Sequence, residues 1–191
     1  MDSNFFKFAE PLLNFIDKGD FFRKPFRVLY MIMAVLSIIM PLVYIWRMVD
    51  GEMFGGPGKI VVGLILFLLV LCFAHWIMFQ IWWSRKDKVS QLKNENDEFV
   101  STPVFAHFIQ TSGEAMGVFF GIVGAGFSLI ATIFFGSAAS SISRSVAISA
   151  NDYGILGVII FPVIGFLIVV FSRFIAEQVK ALTTIANNTK K

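Results

Sequence analysis

The chain has 191 residues, of which 57% are hydrophobic and only 15% are charged, and its mean hydropathy is +0.75. Because soluble domains carry about 25% charged residues, this composition argues against an ordinary soluble protein and indicates a membrane protein. The single cysteine, Cys72, excludes an internal disulfide, and no Cys/His spacing resembles a zinc site. The pI of about 9.1 reflects basic residues at the ends of apolar runs, which favours membrane topology over nucleic-acid binding.

Residues 1–27 precede the first long apolar run and form a segment of their own. Apolar side chains recur there with the spacing of one helix face, at Phe5, Phe8, Ala9, Leu12, Leu13 and Ile16. We therefore predict an interfacial amphipathic helix that lies on the membrane surface through Phe5, Phe8, Leu12 and Ile16. The alternative is that this face packs against a cytoplasmic partner or against the loop between the second and third spans. Pro11 is compatible with the helix only near its start.

Four apolar runs are long enough to cross a bilayer core about 30 Å thick. They extend from Val28 to Trp46, from Ile60 to Trp83, from about Ala115 to Phe135 and from about Gly154 to Ser172. Because backbone groups cannot remain unpaired in lipid, the predicted fold is an all-α membrane protein with four transmembrane helices. The first run has 19 residues and no small-residue cleavage site after it, so we predict a retained span and not a signal peptide.

These runs divide the chain into a first transmembrane hairpin, residues 28–83, a cytoplasmic loop, residues 84–102, and a second hairpin with a cytoplasmic tail, residues 103–191. Aligning Ile60–Lys86 with Gly154–Lys180 gives five identities in 27 positions, among them Gly63 with Gly157. That number is close to chance for two apolar helices. A duplication into two parallel hairpins and two unrelated hairpins therefore both stay open.

The connecting segments carry fewer signals. Thr102-Pro103 predicts the N-terminus of the third helix, about ten residues before the membrane. The sequence Gly55-Gly56-Pro57-Gly58 predicts a tight turn between the first two spans. The loop of residues 136–153 contains six Ser and four Ala, and composition does not decide whether it is flexible or helical.

The distribution of basic residues predicts the orientation. Thirteen Lys and Arg residues lie before the first span, between the second and third, or after the fourth, whereas three lie in the other two loops. The positive-inside rule then places both termini and the middle loop in the cytoplasm. Aromatic residues at the predicted interfaces agree with this, namely Tyr44 and Trp46 at one and Trp82 and Trp83 at the other.

The third span carries small residues at a spacing of four, Gly113, Gly117, Gly121 and Ala125. Small residues at this spacing let two helix backbones approach closely in lipid. We interpret this small-residue stripe as a helix-packing interface. It serves either the monomer's own bundle or contact with a second copy or a partner protein.

A second group of candidate residues is polar and lies near the cytoplasmic ends of the spans, at His75, Glu114, Arg173 and Glu177. Ionisable groups inside a membrane cost free energy, so their presence suggests a functional role. A structural ion-pair cluster is the simpler interpretation, because Arg173 and Glu177 have i,i+4 spacing and long side chains near an interface reach water. A proton or ion relay is the functional alternative.

No motif for an enzyme or a cofactor was found. The chain has no phosphate-binding Gly-Lys-Ser/Thr loop, no Gly-x-Ser-x-Gly and no His-Glu-x-x-His, and no carboxylate has ligand spacing to His107 on its helix. We therefore expect a protein that is not an enzyme and that has no metal and no cofactor.

The two edges of the chain resemble a small bacterial integral membrane family of unknown function. The likeness rests on Phe171-Ser172-Arg173-Phe174-Ile175-Ala176-Glu177 followed by Leu182 and Ile185, and on Asp20-Phe21-Phe22 through Pro25 to Tyr30. That family is a two-helix hairpin with Arg-x-x-x-Glu after its last span. Here two further spans intervene, and Phe79 and Trp83 stand in the first hairpin where Arg173 and Glu177 stand in the second. The resemblance implies a bacterial origin and no activity.

Together these features predict a small accessory or scaffold subunit of a larger inner-membrane assembly. Its expected partners are the lipid bilayer and a membrane protein or further copies of itself, and not nucleic acid. The alternative is an ion or small-solute channel or carrier that uses the polar groups near the cytoplasmic side.

Overall fold

The computed structural model describes residues 20–91, 101–140, 142 and 151–189. Within these ranges the chain is helical and contains no strand. The four long helices are α1 (Asp20–Asp50), α2 (Gly58–Gln91), α3 (Ser101–Ile130) and α4 (Gly157–Thr189). Each contains a segment long and apolar enough to cross a membrane, which indicates a multi-pass membrane protein. The predicted surface helix with Phe5, Phe8, Leu12 and Ile16 lies outside the described residues.

The connection between α1 and α2 is short. The backbone N–H of Gly51 donates to the carbonyl of Arg47 at 3.0 Å, and a 3₁₀ turn follows at Met53–Gly55. Pro57 cannot donate a backbone hydrogen bond, but its carbonyl accepts one from the N–H of Ile60 at 2.8 Å as α2 begins. Because so few residues join the two helices, α1 and α2 run antiparallel and side by side.

The far end of α3 departs from a regular helix. A π-helical segment, Ala131–Phe135, extends α3, and a 3₁₀ turn, Gly136–Ala138, follows it. Gly136 has a φ of 51°, a left-handed conformation that favours glycine. The wider π turn carries Phe134 and Phe135 to α2, where they lie against Gly63. The sequence did not predict this π-helical turn.

The helices pack as neighbours in chain order. The most extensive contact is between α3 and α4, followed by α1 with α2 and α2 with α3. Burial within the apolar windows does not follow this order, since it is highest for α3, at 44%, and lowest for α4, at 11%. Helix α3 is therefore the centre of the bundle, and α4 is attached to it along one side.

The helices continue beyond the predicted spans at one end of the bundle. Helix α2 continues to Gln91, through part of the predicted cytoplasmic loop of residues 84–102, and α3 begins at Ser101. Charged residues in this extension form ion pairs, for example between Arg27 at the start of α1 and Asp87 near the end of α2, at 3.2 Å. This end, where α1 and α3 begin and α2 and α4 end, is called the basic end below.

Candidate functional site

Glu114 is the centre of the polar group at the basic end. Its side chain is only 8% exposed, and it accepts hydrogen bonds from three neighbours. The guanidinium of Arg85 on α2 contacts Oε2, and that of Arg173 on α4 donates to Oε1 from Nε at 2.9 Å and from Nη2 at 2.7 Å. Gln110, one turn earlier on α3, donates to the same oxygen at 3.0 Å. A single carboxylate thus joins α2, α3 and α4.

The charges around Glu114 do not cancel. Two guanidinium groups share one carboxylate, so the group has a local excess of one positive charge. Arg85 is 21% exposed and Arg173 is 52% exposed, so the excess charge is directed towards the surface beside α4. A buried carboxylate without partners would cost several kcal/mol, and the two arginines remove that cost. The arrangement can hold three helices in register, and it can attract an anion.

Of the other predicted members of the polar group, Arg173 binds Glu114, whereas His75 and Glu177 do not. His75 is buried, and its Nδ1 lies 2.8 Å from the carbonyl of Leu71 on the same helix. Because a carbonyl only accepts, this nitrogen carries the hydrogen. The imidazole ring lies edge-on to Tyr44 and Phe119, at centroid distances of 5.7 and 4.9 Å. Glu177 is exposed on α4, and the guanidinium of Arg173 is directed at Glu114 on α3.

A second polar network, not anticipated from the sequence, joins α1 to α3. The hydroxyl of Tyr30 lies 2.8 Å from Nδ1 of His107 and donates to Oγ1 of Thr111 at 3.2 Å. The hydroxyl of Thr111 in turn donates to the carbonyl of His107 at 2.9 Å. With its hydrogen on Nδ1, the His107 ring donates to the Tyr30 hydroxyl, which donates to Thr111, which donates to the His107 carbonyl. Each of the three contacts then has one donor and one acceptor. The only sequence signal for it is the spacing of His107 and Thr111, one helical turn apart.

Aromatic rings enclose this network. Tyr30, Trp82 and Phe108, here called the aromatic cluster, come from α1, α2 and α3. Tyr30 lies edge-on to Trp82 with centroids 5.1 Å apart, and Trp82 lies 6.0 Å from Phe108. Tyr30 and Trp82 are almost fully buried. Edge-to-face rings at these distances contribute about 0.5–1.5 kcal/mol per pair beyond their area burial.

The small-residue stripe of α3 faces α4 inside the same chain. A side chain added at Gly117 would meet the carbonyl of Gly165, and one at Gly113 would meet the side chain of Ser172. Gly121 faces the same helix with more room, since its nearest atom, Cα of Pro162, is 3.5 Å from the added Cβ. Ala125 is half-buried at the edge of this contact. The α3/α4 contact along these residues is called the seam.

The seam is reciprocal, and the residues of α4 that form it were missed in the sequence. Gly165 has no room for a side chain because Gly117 faces it, and Gly157 has none because Ser128 does. Phe161 fills the space that Gly124 leaves. The register is antiparallel and constant from Gly113 to Ser128, a length of about 22 Å. The spacing of Gly157 and Gly165, two turns apart, is the signal that predicts such a face.

Among the described residues no group of His, Cys, Asp or Glu is placed to hold a metal ion. No protein-family model matches this chain, and no curated protein or solved structure matches it either. The geometry of the bundle is therefore what carries the functional proposals that follow.

Proposed function

We propose that this protein is a non-catalytic accessory or scaffold subunit of a larger membrane assembly, and that α4 is its partner-binding helix. The observation that supports this is the uneven burial of the spans. Only 11% of the apolar window of α4 is buried, because α4 packs mainly on α3. A helix attached along one side leaves a broad apolar surface for another membrane protein.

Pairing of the polar groups supports the same proposal. Glu114 is bound by Arg85, Arg173 and Gln110, and the ring of His107 is bound by Tyr30. These side chains join helices of the bundle to each other, which is what a structural subunit requires. The competing function is an ion or small-solute channel, which the presence of buried charge in apolar helices favours.

Photo-crosslinking from α4 tests the proposal. A photoreactive residue is placed at Ile159, Leu167 or Phe174, which are 69%, 56% and 56% exposed. Matched controls are Val35 and Leu42 on the exposed side of α1. We expect one stoichiometric adduct from the α4 positions and none from the α1 positions, after solubilisation in mild detergent. A lone particle without adducts that conducts ions in liposomes would instead establish the channel.

The orientation and location are part of the proposal. We place the basic end in the cytoplasm on the basis of the thirteen-to-three distribution of Lys and Arg, and the protein in the inner membrane of a bacterium on the basis of the resemblance at the two edges of the chain. We also propose that residues 1–27 include a surface helix and that the spans form two hairpins. Cysteines at Lys88 and Gly56, both exposed and at opposite ends, test the orientation in a background lacking Cys72. We expect an impermeant reagent to label whole cells at position 56 only, and labelling at position 88 alone would invert the orientation.

A further inference from the structure

An open apolar groove runs along one flank of the seam. Its volume is about 570 Å³, and Gly117, Gly121, Ala125, Pro162, Gly165 and Val169 contribute to its walls. The groove exists because glycines at the contact bring the backbones together and leave no side chains to cover the flank. Leu167 and Phe174, on the proposed partner-binding side, lie on the face of α4 opposite Gly165 and outside this groove.

The mouth of this groove at the basic end is charged. Arg173 follows Val169 by one turn on α4, and Glu114 precedes Gly117 by about one turn on α3. Arg173 uses two N–H groups for Glu114, and a guanidinium has five. Half of its side chain is exposed, and Arg85 supplies a second positive charge to the same carboxylate. The mouth thus combines unused donors with excess positive charge.

The length of the groove matches one leaflet of a bilayer. From Pro162 to Arg173 the helix rises about 16 Å, at about 1.5 Å per residue. Half of a hydrocarbon core of about 30 Å is about 15 Å. A partner helix or a second copy would cross both leaflets, whereas a lipid chain ends near the middle. The dimensions therefore fit an acyl chain better than a transmembrane helix.

We propose that this groove is a binding site for an anionic phospholipid. One acyl chain lies against Gly117, Gly121 and Ala125, and the phosphate accepts hydrogen bonds from Arg173 at the mouth. Planar guanidinium groups recognise phosphate through paired hydrogen bonds, and these are stronger when both partners are charged. The lipid would neutralise the excess charge beside Glu114 and would add its chain to the contact between α3 and α4.

Native mass spectrometry of the purified, delipidated protein tests this site, with phosphatidylglycerol and phosphatidylcholine of identical chains as probes. We expect one phosphatidylglycerol to bind about tenfold more tightly than phosphatidylcholine, because both carry a phosphate but the choline cation of the latter is repelled by the excess positive charge beside Glu114. Arg173→Gln should remove this preference, while Glu114 keeps Arg85 and Gln110 as partners. Equal affinity of the wild type for the two lipids would overturn the proposal.

A groove-filling variant separates the groove from the charge. Ala125→Leu adds a larger side chain inside the groove and leaves the polar group unchanged. It should therefore lower the affinity of this site for both lipids by about tenfold. Met116→Leu, at a 50% exposed position of the same helix, is the matched control and should change neither affinity. Unchanged lipid binding in Ala125→Leu would overturn the proposed site. A wild-type dimer that separates into monomers when lipid is added would also overturn it. Inorganic phosphate that binds as tightly as phosphatidylglycerol would show an anion site to which the acyl chain contributes nothing, and would also overturn the proposal.

Discussion

The seam and the aromatic cluster hold helices together in opposite ways. At the seam, glycines of α3 and α4 lie so close that an added Cβ at Gly117 would meet a backbone carbonyl. At the aromatic cluster, Tyr30, Trp82 and Phe108 keep α1, α2 and α3 apart by the size of their rings, and hydroxyl and imidazole groups connect α1 to α3. Lipid tails are as apolar as leucine, so burial alone gives little drive for helix association in a membrane. The two regions show the two remaining sources of stability, backbone proximity and polar contact.

The largest effect is expected at Glu114, which connects the seam to the helix that carries Trp82. Glu114→Ala leaves the guanidinium of Arg85 partly buried without its carboxylate. Loss of one partner of a buried pair costs about 3–5 kcal/mol, and we expect about 3 kcal/mol because Arg173 is half exposed and turns to water. The measurement is the free energy of unfolding in mixed micelles on titration with SDS.

Glu114→Gln is the control for this prediction. Its amide keeps one acceptor oxygen for the arginines but loses the charge, so the expected loss is smaller, about 1–2 kcal/mol. Should Glu114→Ala unfold with the free energy of the wild type, the ion pairs would contribute nothing and the seam alone would hold α4.

The seam is broken most directly at Gly117. Gly117→Ala adds only a methyl group, but the group meets the carbonyl of Gly165 and lies 2.6 Å from Cγ2 of Val169. A backbone atom does not rotate away, so α3 and α4 must separate. Overpacking of this kind costs about 1–3 kcal/mol, and we expect about 2 kcal/mol in the same SDS titration. Mass in detergent should not change, because the contact lies inside one chain.

Gly121→Ala tests whether this loss comes from the contact and not from removing a glycine. It lies on the same stripe, but its added Cβ would be 3.5 Å from the nearest atom, an ordinary van der Waals distance. We expect no loss of stability, because alanine favours a helix over glycine by about 1 kcal/mol. Equal losses at positions 117 and 121 would show that the approach of the backbones is not the cause.

The aromatic cluster is tested by removing one oxygen atom. Tyr30→Phe keeps the ring that packs on Trp82 but deletes the contacts with His107 and Thr111. Leaving two buried polar groups without this partner should cost about 1–2 kcal/mol. Tyr44→Phe, on a ring that packs edge-on against His75, is the matched control and should cost less. Equal free energies of unfolding for the two variants would show that packing of the rings, and not the hydrogen bonds of Tyr30, stabilises the aromatic cluster.

Span length and apolar content were enough to predict four helices, because a bilayer imposes both on any crossing segment. The spacing of Gly113, Gly117 and Gly121 also predicted a packing face. It did not predict the partner, because the same spacing suits any helix that approaches closely. Which neighbour of α3 fills that face depends on the small residues of α4, such as Gly165, whose role is visible only when the two helices are set side by side.

The polar group was harder to predict because the decisive contacts are distant in sequence. Helical spacing paired Arg173 with Glu177, four residues away, yet the guanidinium binds Glu114, 59 residues away. The physical reason is burial, since an enclosed carboxylate without a partner costs far more than an exposed one. The hydrogen bonds of Tyr30 with His107 and Thr111 have the same character. A tyrosine in an apolar span has no local feature that identifies its acceptor.

The smallest effect is expected at the surface of the basic end, where Arg27 and Asp87 join α1 to α2. Their nitrogen and oxygen are 3.2 Å apart, but the side chains are 50% and 54% exposed. Exposed pairs contribute about 0–1 kcal/mol, because water screens the attraction and two long side chains lose freedom. Asp87→Asn should therefore lower the free energy of unfolding by less than about 0.5 kcal/mol, and 0.5 M salt should abolish the difference from the wild type, since the screening length is then only about 4 Å. Glu114→Ala, whose carboxylate is buried, should keep most of its larger loss at the same salt concentration. If instead Asp87→Asn were as damaging as Glu114→Ala and insensitive to salt, this pair would be shielded from water, and contact between α1 and α2 at the basic end would be tighter than their exposure indicates.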